Sequence, residues 1–299
     1  MAPAGDPDEI SSETASPELL SGGLYITATP IGNARDITLR ALTVLRNCDA
    51  IVAEDTRFTA RLLSIHGIRR PLLIYNDHNA AAVRPNLLQR LREGQSLALV
   101  TDAGTPLISD PGYRLVKAAR EEDLPVIPIP GPSAVTAALS AAGLPCDRFF
   151  FAGFLPAKTG ERRAALAALA SIPATLVIFE SPHRLAESLS EMAEVLGDRE
   201  AAVARELTKI HEEIRRGPLR DLATHYSSAR VRGELVVLIA PASEPAGPDH
   251  ARIDSLLQQA LTFMPVKVAA AFVAEATSAR RRDVYLRALA LGGRGGRDQ

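Results

Sequence analysis

Only two cysteines occur in the 299 residues, Cys48 and Cys146. They stand far apart and have no ligand-like neighbours, which excludes a disulfide framework and a zinc site and leaves two buried thiols as the expectation. No other cluster has metal-ligand spacing, so no metal is expected. Apolar runs are equally scarce, and none approaches the roughly 20 residues that span a bilayer. The stretch Met1–Ser21 lacks a basic n-region and an apolar core. It is rich in Pro, Ser and acidic residues, and reads as a disordered tail and not a signal peptide. A cytoplasmic protein with no membrane partner is the expectation. Net charge is −1, so bulk attraction to nucleic acid is missing and any RNA site must be a local patch. No Gly-x-Gly-x-x-Gly follows a strand, which argues against a nicotinamide-binding domain.

Hydrophobic residues make up 46% of the chain, enough to fill two cores. Short apolar runs alternate with helical spacing. Leu24–Ala28, Ala50–Ala53, Pro71–Tyr75, Leu97–Val100 and Val126–Ile129 read as strands of a largely parallel sheet covered on both faces. Asp36 or Thr38 can cap a helix carrying Leu39, Leu42, Val44 and Leu45. A second half has strands at Phe149–Ala152, Thr175–Glu180, Ala201–Arg205 and Glu234–Ala240. Its helices are Arg162–Ala170, Leu185–Leu196 and Leu219–Tyr226, and its sheet should mix parallel and antiparallel pairs. Ala242–Asp249 is a linker by composition. Beyond it, Val266–Ala276 and Arg280–Leu291 look like a helix-turn-helix unit around a Thr277-Ser278 cap. The expected domains are therefore 1–22 (tail), 23–132 and 133–241 (two α/β domains), 242–249 (linker) and 250–299 (a helical appendage).

The densest signal is Thr101-Asp-Ala-Gly-Thr-Pro-Leu-Ile-Ser-Asp-Pro-Gly112, at the carboxyl end of the Leu97–Val100 strand. Open α/β sheets place ligands there. Glycine permits close backbone approach, proline fixes the turn, and Ser, Thr and Asp supply directional hydrogen bonds. Pro130-Gly-Pro-Ser133 opens the helix Val135–Ala142, whose free N–H groups favour a carboxylate, although Ser133 could be a plain N-cap. With Ala28-Thr-Pro-Ile-Gly-Asn33, Asp36-Ile-Thr-Leu-Arg40, Ala53-Glu-Asp-Thr-Arg57, Glu180-Ser-Pro-His-Arg184 and Ala204-Arg-Glu-Leu-Thr-Lys209, these motifs resemble the ribosomal small subunit methyltransferase I family. That family lies within the tetrapyrrole methylase superfamily, and the likeness runs from about Leu24 to Pro241.

The resemblance implies two α/β domains with S-adenosylmethionine in the cleft between them. It carries cofactor contacts to Pro30, Asp102, Gly104, Thr105, Pro106, Ile108, Ser109, Ser133 and Ala134. It implies a homodimer that methylates a ribose 2′-hydroxyl of a decoding-region cytidine in 16S rRNA of the small ribosomal subunit. Two departures are visible: Phe58 stands where relatives usually carry His, and Asn76-Asp-His-Asn79 where His-Glu-His-Asn is common.

In-line methyl transfer needs alignment and water exclusion, and a weakly acidic hydroxyl is helped by a base or a positive neighbour. Glu54, Asp55, Arg57, His78, Glu180, His183, Arg205, Glu206, Lys209 and His211 are the polar residues on motif loops. Of these Arg205, Glu206 and Lys209 are the leading candidates, because they follow a strand immediately. A desolvated Lys209 could act as a base; a structural ion-pair network among the three is the competing reading. Asn33, Arg40, Arg57, His78, Arg184 and the run Arg280-Arg281-Arg282 are candidate RNA contacts, since guanidinium groups fork onto phosphate oxygens. The arginines of the last helix and tail, Arg287, Arg294 and Arg297 included, could equally be a solvated face. Two other functions compete: a methylase of a cobalamin or siroheme precursor, and a non-catalytic RNA-binding assembly factor.

Overall fold

The computed structural model describes residues 20–229, 231–242, 250–277 and 279–292. It falls into two compact units, divided after Pro241.

The first unit holds two five-stranded sheets. In the first, β1 (Gly23–Thr27), β2 (Ala50–Ala53), β3 (Leu72–Ile74), β4 (Ser96–Val100) and β5 (Val126–Ile129) lie in the order β3-β2-β4-β1-β5. Every pairing is parallel. Buried on both faces, these strands read as continuous apolar runs such as Ala50-Ile-Val-Ala53, as parallel strands do. The helices α1 (Leu39–Asn47), α2 (Thr56–Ile65), α3 (Ala80–Arg92) and α4 (Tyr113–Glu121) divide between the faces. Ala41, Val44, Leu45 and Leu63 of α1 and α2 share one core with Tyr25, Ala98 and Val100. Leu87, Leu91, Leu115 and Ala119 of α3 and α4 share the other with Leu24, Leu97 and Leu99.

β1 and β4 are neighbours, yet the chain leaves β1 for one face and β4 for the other. That divergence opens a crevice at their carboxyl ends, the topological switch point where α/β sheets bind ligands. It places the loops after Thr27 and Val100 side by side.

Thr38 caps α1 by accepting the Ala41 N–H; Asp36 lies in the preceding 3-10 turn. Leu39 is exposed and Ala41 takes its place in the core, because position 39 opens the helix on the solvent side. α2 was not expected from the sequence. Asp55 starts it by accepting the Arg57 N–H. Cys48 is buried, and burial pushes its thiol up to about 11, but Cys146 is exposed, against the expectation of two buried thiols. It sits in the Pro145–Arg148 connection ahead of the next strand.

α5 (Ala134–Ala141) leads to the second sheet: β6 (Phe149–Phe154), β7 (Thr175–Glu180), β8 (Glu200–Arg205), β9 (Glu213–Pro218) and β10 (Leu235–Ile239). Their order is β6-β7-β10-β8-β9. Only β6–β7 is parallel; the other pairs are antiparallel. Alternation sorts the strand side chains by face. Leu235, Val237 and Ile239 meet α6 (Thr159–Leu169), α7 (Leu185–Leu196) and α8 (Leu219–Ser228). Val236 and Leu238 face Val135, Ala138 and Leu139 of α5.

The second unit is a three-helix bundle of α9 (His250–Leu261), α10 (Val266–Thr277) and α11 (Arg281–Gly292) around Ile253, Leu257, Ala270, Val273 and Val284. α9 was not expected. Thr277 ends α10 by donating to the Val273 carbonyl. Ser278, most of the linker, Arg294 and Arg297 lie outside the described residues. No helix among the described residues is long and apolar enough to cross a membrane.

Candidate active-site cleft

The crevice after β1 and β4 is stitched shut at its base. Thr29 and Gly104 exchange backbone hydrogen bonds in both directions, at 2.8 and 3.0 Å, and the Thr29 hydroxyl donates to the Thr101 carbonyl at 3.0 Å. The Thr105 hydroxyl donates to the Pro132 carbonyl at 3.0 Å, tying this loop to the start of α5. Within the loop, Leu107 and Ser109 hold φ of 73° and 65°. Two non-glycine residues in the left-handed region cost about 1–3 kcal/mol each and persist only where the surroundings over-determine them. The backbone is thus fixed in a shape the sequence does not favour, which is characteristic of binding loops.

Above this loop opens a cavity of about 370 Å³, within the range of small-molecule sites. Gly104, Thr105, Ile108, Ser109, Ser133 and Ala134 line it as expected. Pro30, Asp102 and Pro106 lie outside the lining: the prolines are buried behind it, and Asp102 accepts the Asp55 N–H. The opposite wall is supplied by the second sheet, through Phe154, Phe179, Ala204 and Val236. Phe179 stands edge-on to both Phe151 and Phe154, with ring centroids at 4.9 and 5.4 Å.

Ser133 occupies the N-cap of α5 but its hydroxyl makes no capping bond. Among the described residues, the N–H groups of Ala134, Val135 and Thr136 also lack acceptors. The helix start therefore offers unpaired donors and a positive dipole end toward the cavity. Asp110 lies on the same rim. Burial pushes its carboxyl above the usual range, and the Asp102 charge adds to this while a hydrogen bond from Thr101 opposes it. Burial likewise raises Glu54, helped by Asp110 and Asp102.

Glu180 is wired inside the wall. It accepts from Arg184 at 2.7 Å, Ser188 at 2.6 Å and the Ser181 N–H at 2.6 Å. Arg184 is therefore engaged with Glu180. Arg57 is exposed but paired to Asp55, whose carboxyl those bonds lower to about 2. Arg40 and His78 are exposed.

The turn Glu206–Lys209 contains an ion-pair network. Lys209 Nζ lies 2.8 Å from Glu206 and 3.2 Å from Glu234, and Arg205 pairs with Glu213 at 3.0 Å. Partial burial works against the Lys209 charge, but the two carboxylates outweigh it and hold the ammonium above the ordinary lysine range. The hydrogen bond from Lys209 holds the Glu206 carboxyl below its usual range. Of the expected network, the Glu206–Lys209 pair is present, whereas Arg205 pairs with Glu213 in place of Glu206.

The turn is itself strained, with φ of 50° at Glu206 and 65° at Thr208. Thr208 Oγ1 accepts the Asn33 N–H at 3.1 Å, so this turn docks on the loop after β1. Gly32 makes the approach possible: a Cβ there would overlap Lys209 Cγ and stand 2.9 Å from the Leu207 carbonyl. Gly233, at φ +91°, has the Glu206 carboxylate in the space a Cβ would fill. Neither Gly233 nor the aromatic wall was expected from the sequence. Gly233 is revealed by its contact with Glu206, and the wall by the pairing of Phe179 with Phe154 and Val236.

In the helical unit, Arg280, Arg281 and Arg282 are exposed at the start of α11. Three cations at a helix N-terminus oppose the macrodipole by about 0.3–1 kcal/mol each, so folding does not explain them. Arg287 is paired to Asp254 at 2.6 Å.

Fold and cleft together define a methylase of the tetrapyrrole type. Residues 23–223 match the family model of tetrapyrrole (corrin/porphyrin) methylases. Solved structures of the same fold include a diphthine synthase (TM-score 0.58, 16% identity, 73% of this chain and 89% of that one). A uroporphyrin-III C-methyltransferase from Thermus thermophilus, complexed with S-adenosyl homocysteine, has a TM-score of 0.53 at 19% identity, covering 73% and 97%. Residues 247–292 match the RsmI C-terminal HTH domain. The ribosomal RNA small subunit methyltransferase I of Mesorhizobium japonicum is 52% identical over 91% of this chain and 93% of its own length. That of Pseudomonas aeruginosa is 47% identical over 90% and 97%. The chain belongs to the ribosomal RNA small subunit methyltransferase I family.

Proposed function

We propose that the chain methylates 16S rRNA in the small ribosomal subunit, transferring the methyl group of S-adenosylmethionine to the ribose 2′-oxygen of a decoding-region cytidine. The observation that carries the donor is the cavity itself. Unpaired N–H groups at the start of α5 suit a carboxylate, Asp110 suits an ammonium or sulfonium charge, and Phe179, Phe154 and Val236 suit an aromatic base. The residues present therefore fit S-adenosylmethionine. When bound, that molecule supplies an electrophilic methyl group on sulfur.

The chain's own contribution is alignment and charge. Gly104–Ser109 and Ser133–Ala134 hold the donor in one pose, and the apolar wall keeps water from the sulfonium. The acceptor approaches beside the joined loop after β1 and turn Glu206–Lys209, where Lys209 presents a fixed positive charge to an oxygen losing its proton. Glu206 is a positioning residue for that ammonium, and Arg205 with Glu213 holds the strand end beneath it. Asn33, Arg40, His78 and the Arg280–Arg282 run are assigned to RNA. The cytoplasmic location and the homodimer belong to the same reading, with exposed Phe149 and Phe150 on edge strand β6 as an apolar edge for a second copy.

The test is incubation with small subunits from cells lacking the enzyme and a radiolabelled methyl donor. Label in 16S rRNA supports the reading. Label in a tetrapyrrole precursor and none in RNA would replace it, and absence of donor binding by calorimetry would favour an assembly factor.

A further inference from the structure

A second groove lies between α3 and α4, lined by Arg84, Leu88, Arg92, Tyr113, Arg114 and Lys117. Its cations are not equivalent. Arg92 is paired to Glu122 at 2.7 Å and Lys117 to Glu121 at 3.1 Å. Arg84 and Arg114 have no ion pair or side-chain hydrogen bond among the described residues, and both guanidinium charges reach the buried Tyr75 phenol. Tyr113 is 65% exposed. The N–H groups of Tyr113 and Arg114 likewise lack acceptors among the described residues.

The groove's position ties it to the cleft. Both helices start at the carboxyl edge of the first sheet, so Arg84 (second turn of α3) and Arg114 (first turn of α4) stand at the end nearest the cavity. Arg114 is four residues from Asp110 on the cavity rim, a reach of at most about 14 Å. A polynucleotide placing one ribose in the cleft carries its neighbouring phosphates across such a distance. In a chain of net charge −1, two unpaired guanidinium groups beside an exposed aromatic ring match the chemistry of a nucleic-acid strand. Arginines take phosphate oxygens in a fork, and the ring offers a face to a base.

We propose that the α3–α4 groove binds the RNA backbone flanking the methylated nucleotide, with Arg84 and Arg114 on phosphates and Tyr113 stacking on a base. This rests on the rRNA reading above. An acidic ribosomal protein is the competing partner, and salt dependence separates the two, because only polynucleotide binding releases condensed counterions in proportion to the phosphates contacted.

The experiment measures affinity of the full chain for small subunits and for their protein-free 16S rRNA across 50–200 mM salt, as an order-of-magnitude window for such titrations. The double variant Arg84→Gln/Arg114→Gln should bind both roughly tenfold or more weakly, with a log–log salt slope shallower by about 1.5. Calorimetric binding of S-adenosylmethionine should be unchanged. Arg84→Lys/Arg114→Lys should restore the slope, which a merely structural role would not predict. Wild-type affinity and slope in the Gln variant would overturn the groove while leaving methylation of wild-type subunits intact. Weaker binding to subunits alone, with an unchanged slope on protein-free RNA, would assign the groove to protein and also overturn it. Failure of the wild type to bind or methylate subunits would overturn both readings.

Discussion

Replacing Gly32 by alanine tests whether contact between the loop after β1 and the Glu206–Lys209 turn sets the acceptor site. The backbone at Gly32 is not in the left-handed region, so the effect comes from contact and not from conformation. The new methyl would overlap Lys209 Cγ and stand 2.9 Å from both the Leu207 carbonyl oxygen and Thr208 Oγ1. Ordinary contact begins near 3.4 Å, so the turn's backbone must retreat by about half an ångström and the lysine stem by more. The turn has little freedom to do so. Glu206 and Thr208 already hold positive φ, and Glu206 is hemmed in by Gly233. Overpacking of this kind costs about 1–3 kcal/mol of stability. A misplacement approaching 1 Å at a reacting centre costs up to about a hundredfold in rate. The variant should therefore lose about ten- to a hundredfold in kcat/KM for small-subunit methylation. It should bind S-adenosylmethionine within about twofold of wild type, since Gly104–Ser109 and Ser133–Ala134 are untouched. Steady-state methyl transfer and calorimetry on the same preparation measure both. Full activity would show that this contact does not set the acceptor site, and so would a loss confined to donor binding.

Three further outcomes follow from the same geometry. Asp110→Asn should raise the melting temperature at pH 7 and weaken binding of the cationic donor, read by thermal unfolding and calorimetry. Its folded carboxyl titrates above the unfolded one, so its favourable contribution is fully present below about pH 4 and is lost as pH rises through the folded value. Lys209→Met should lower kcat by about tenfold or more, with a pH–rate profile parallel to wild type between about pH 6 and 9. A raised lysine keeps its contribution until pH passes about 10.5, and the lowered Glu206 keeps its own until pH falls below about 4; a wild-type limb near neutrality that the variant lacks would point to a lysine base instead. Arg162 is 1% exposed and holds Glu187 and Glu191, so Arg162→Met should cost about 3–5 kcal/mol in urea unfolding by stranding Glu191. Arg162→Met/Glu191→Met should recover most of that, and equal loss in both variants would contradict the pairing.

Much of the first sheet is legible in the residues. Its strands are two-face-buried apolar runs ending in Gly, Pro and Asp, and the Asp36–Thr38 stretch marks a helix start, though only the structure decides for Thr38 as the cap. β9 is not legible, because Glu213-Ile-Arg-Arg-Gly-Pro218 is an edge strand whose charged side chains hide the alternation. α2 is masked by its own start, where Asp55-Thr56-Arg57 reads as the end of a strand loop until the Asp55 cap is seen. The cleft is half legible for the same reason. Its floor is built from contiguous motif residues, Gly104–Ser109 and Ser133–Ala134. Its far wall is assembled by antiparallel register: β10 lies between β7 and β8, so Val236 pairs with Phe179 on one side and Ala204 on the other. Local sequence carries no trace of that pairing. The ion-pair network around Lys209 needed Glu234, which is 25 residues away in sequence.

Delivery of a methyl group from this cleft to a ribose oxygen of 16S rRNA would leave a chemical trace in the product. The most direct measurement is alkaline hydrolysis of 16S rRNA labelled by the enzyme in small subunits, followed by separation of the products. A 2′-O-methyl group blocks cleavage at its own phosphodiester, so label is expected in a single alkali-resistant dinucleotide that begins with cytidine. Label released in a mononucleotide would place the methyl group on a base and overturn the ribose assignment.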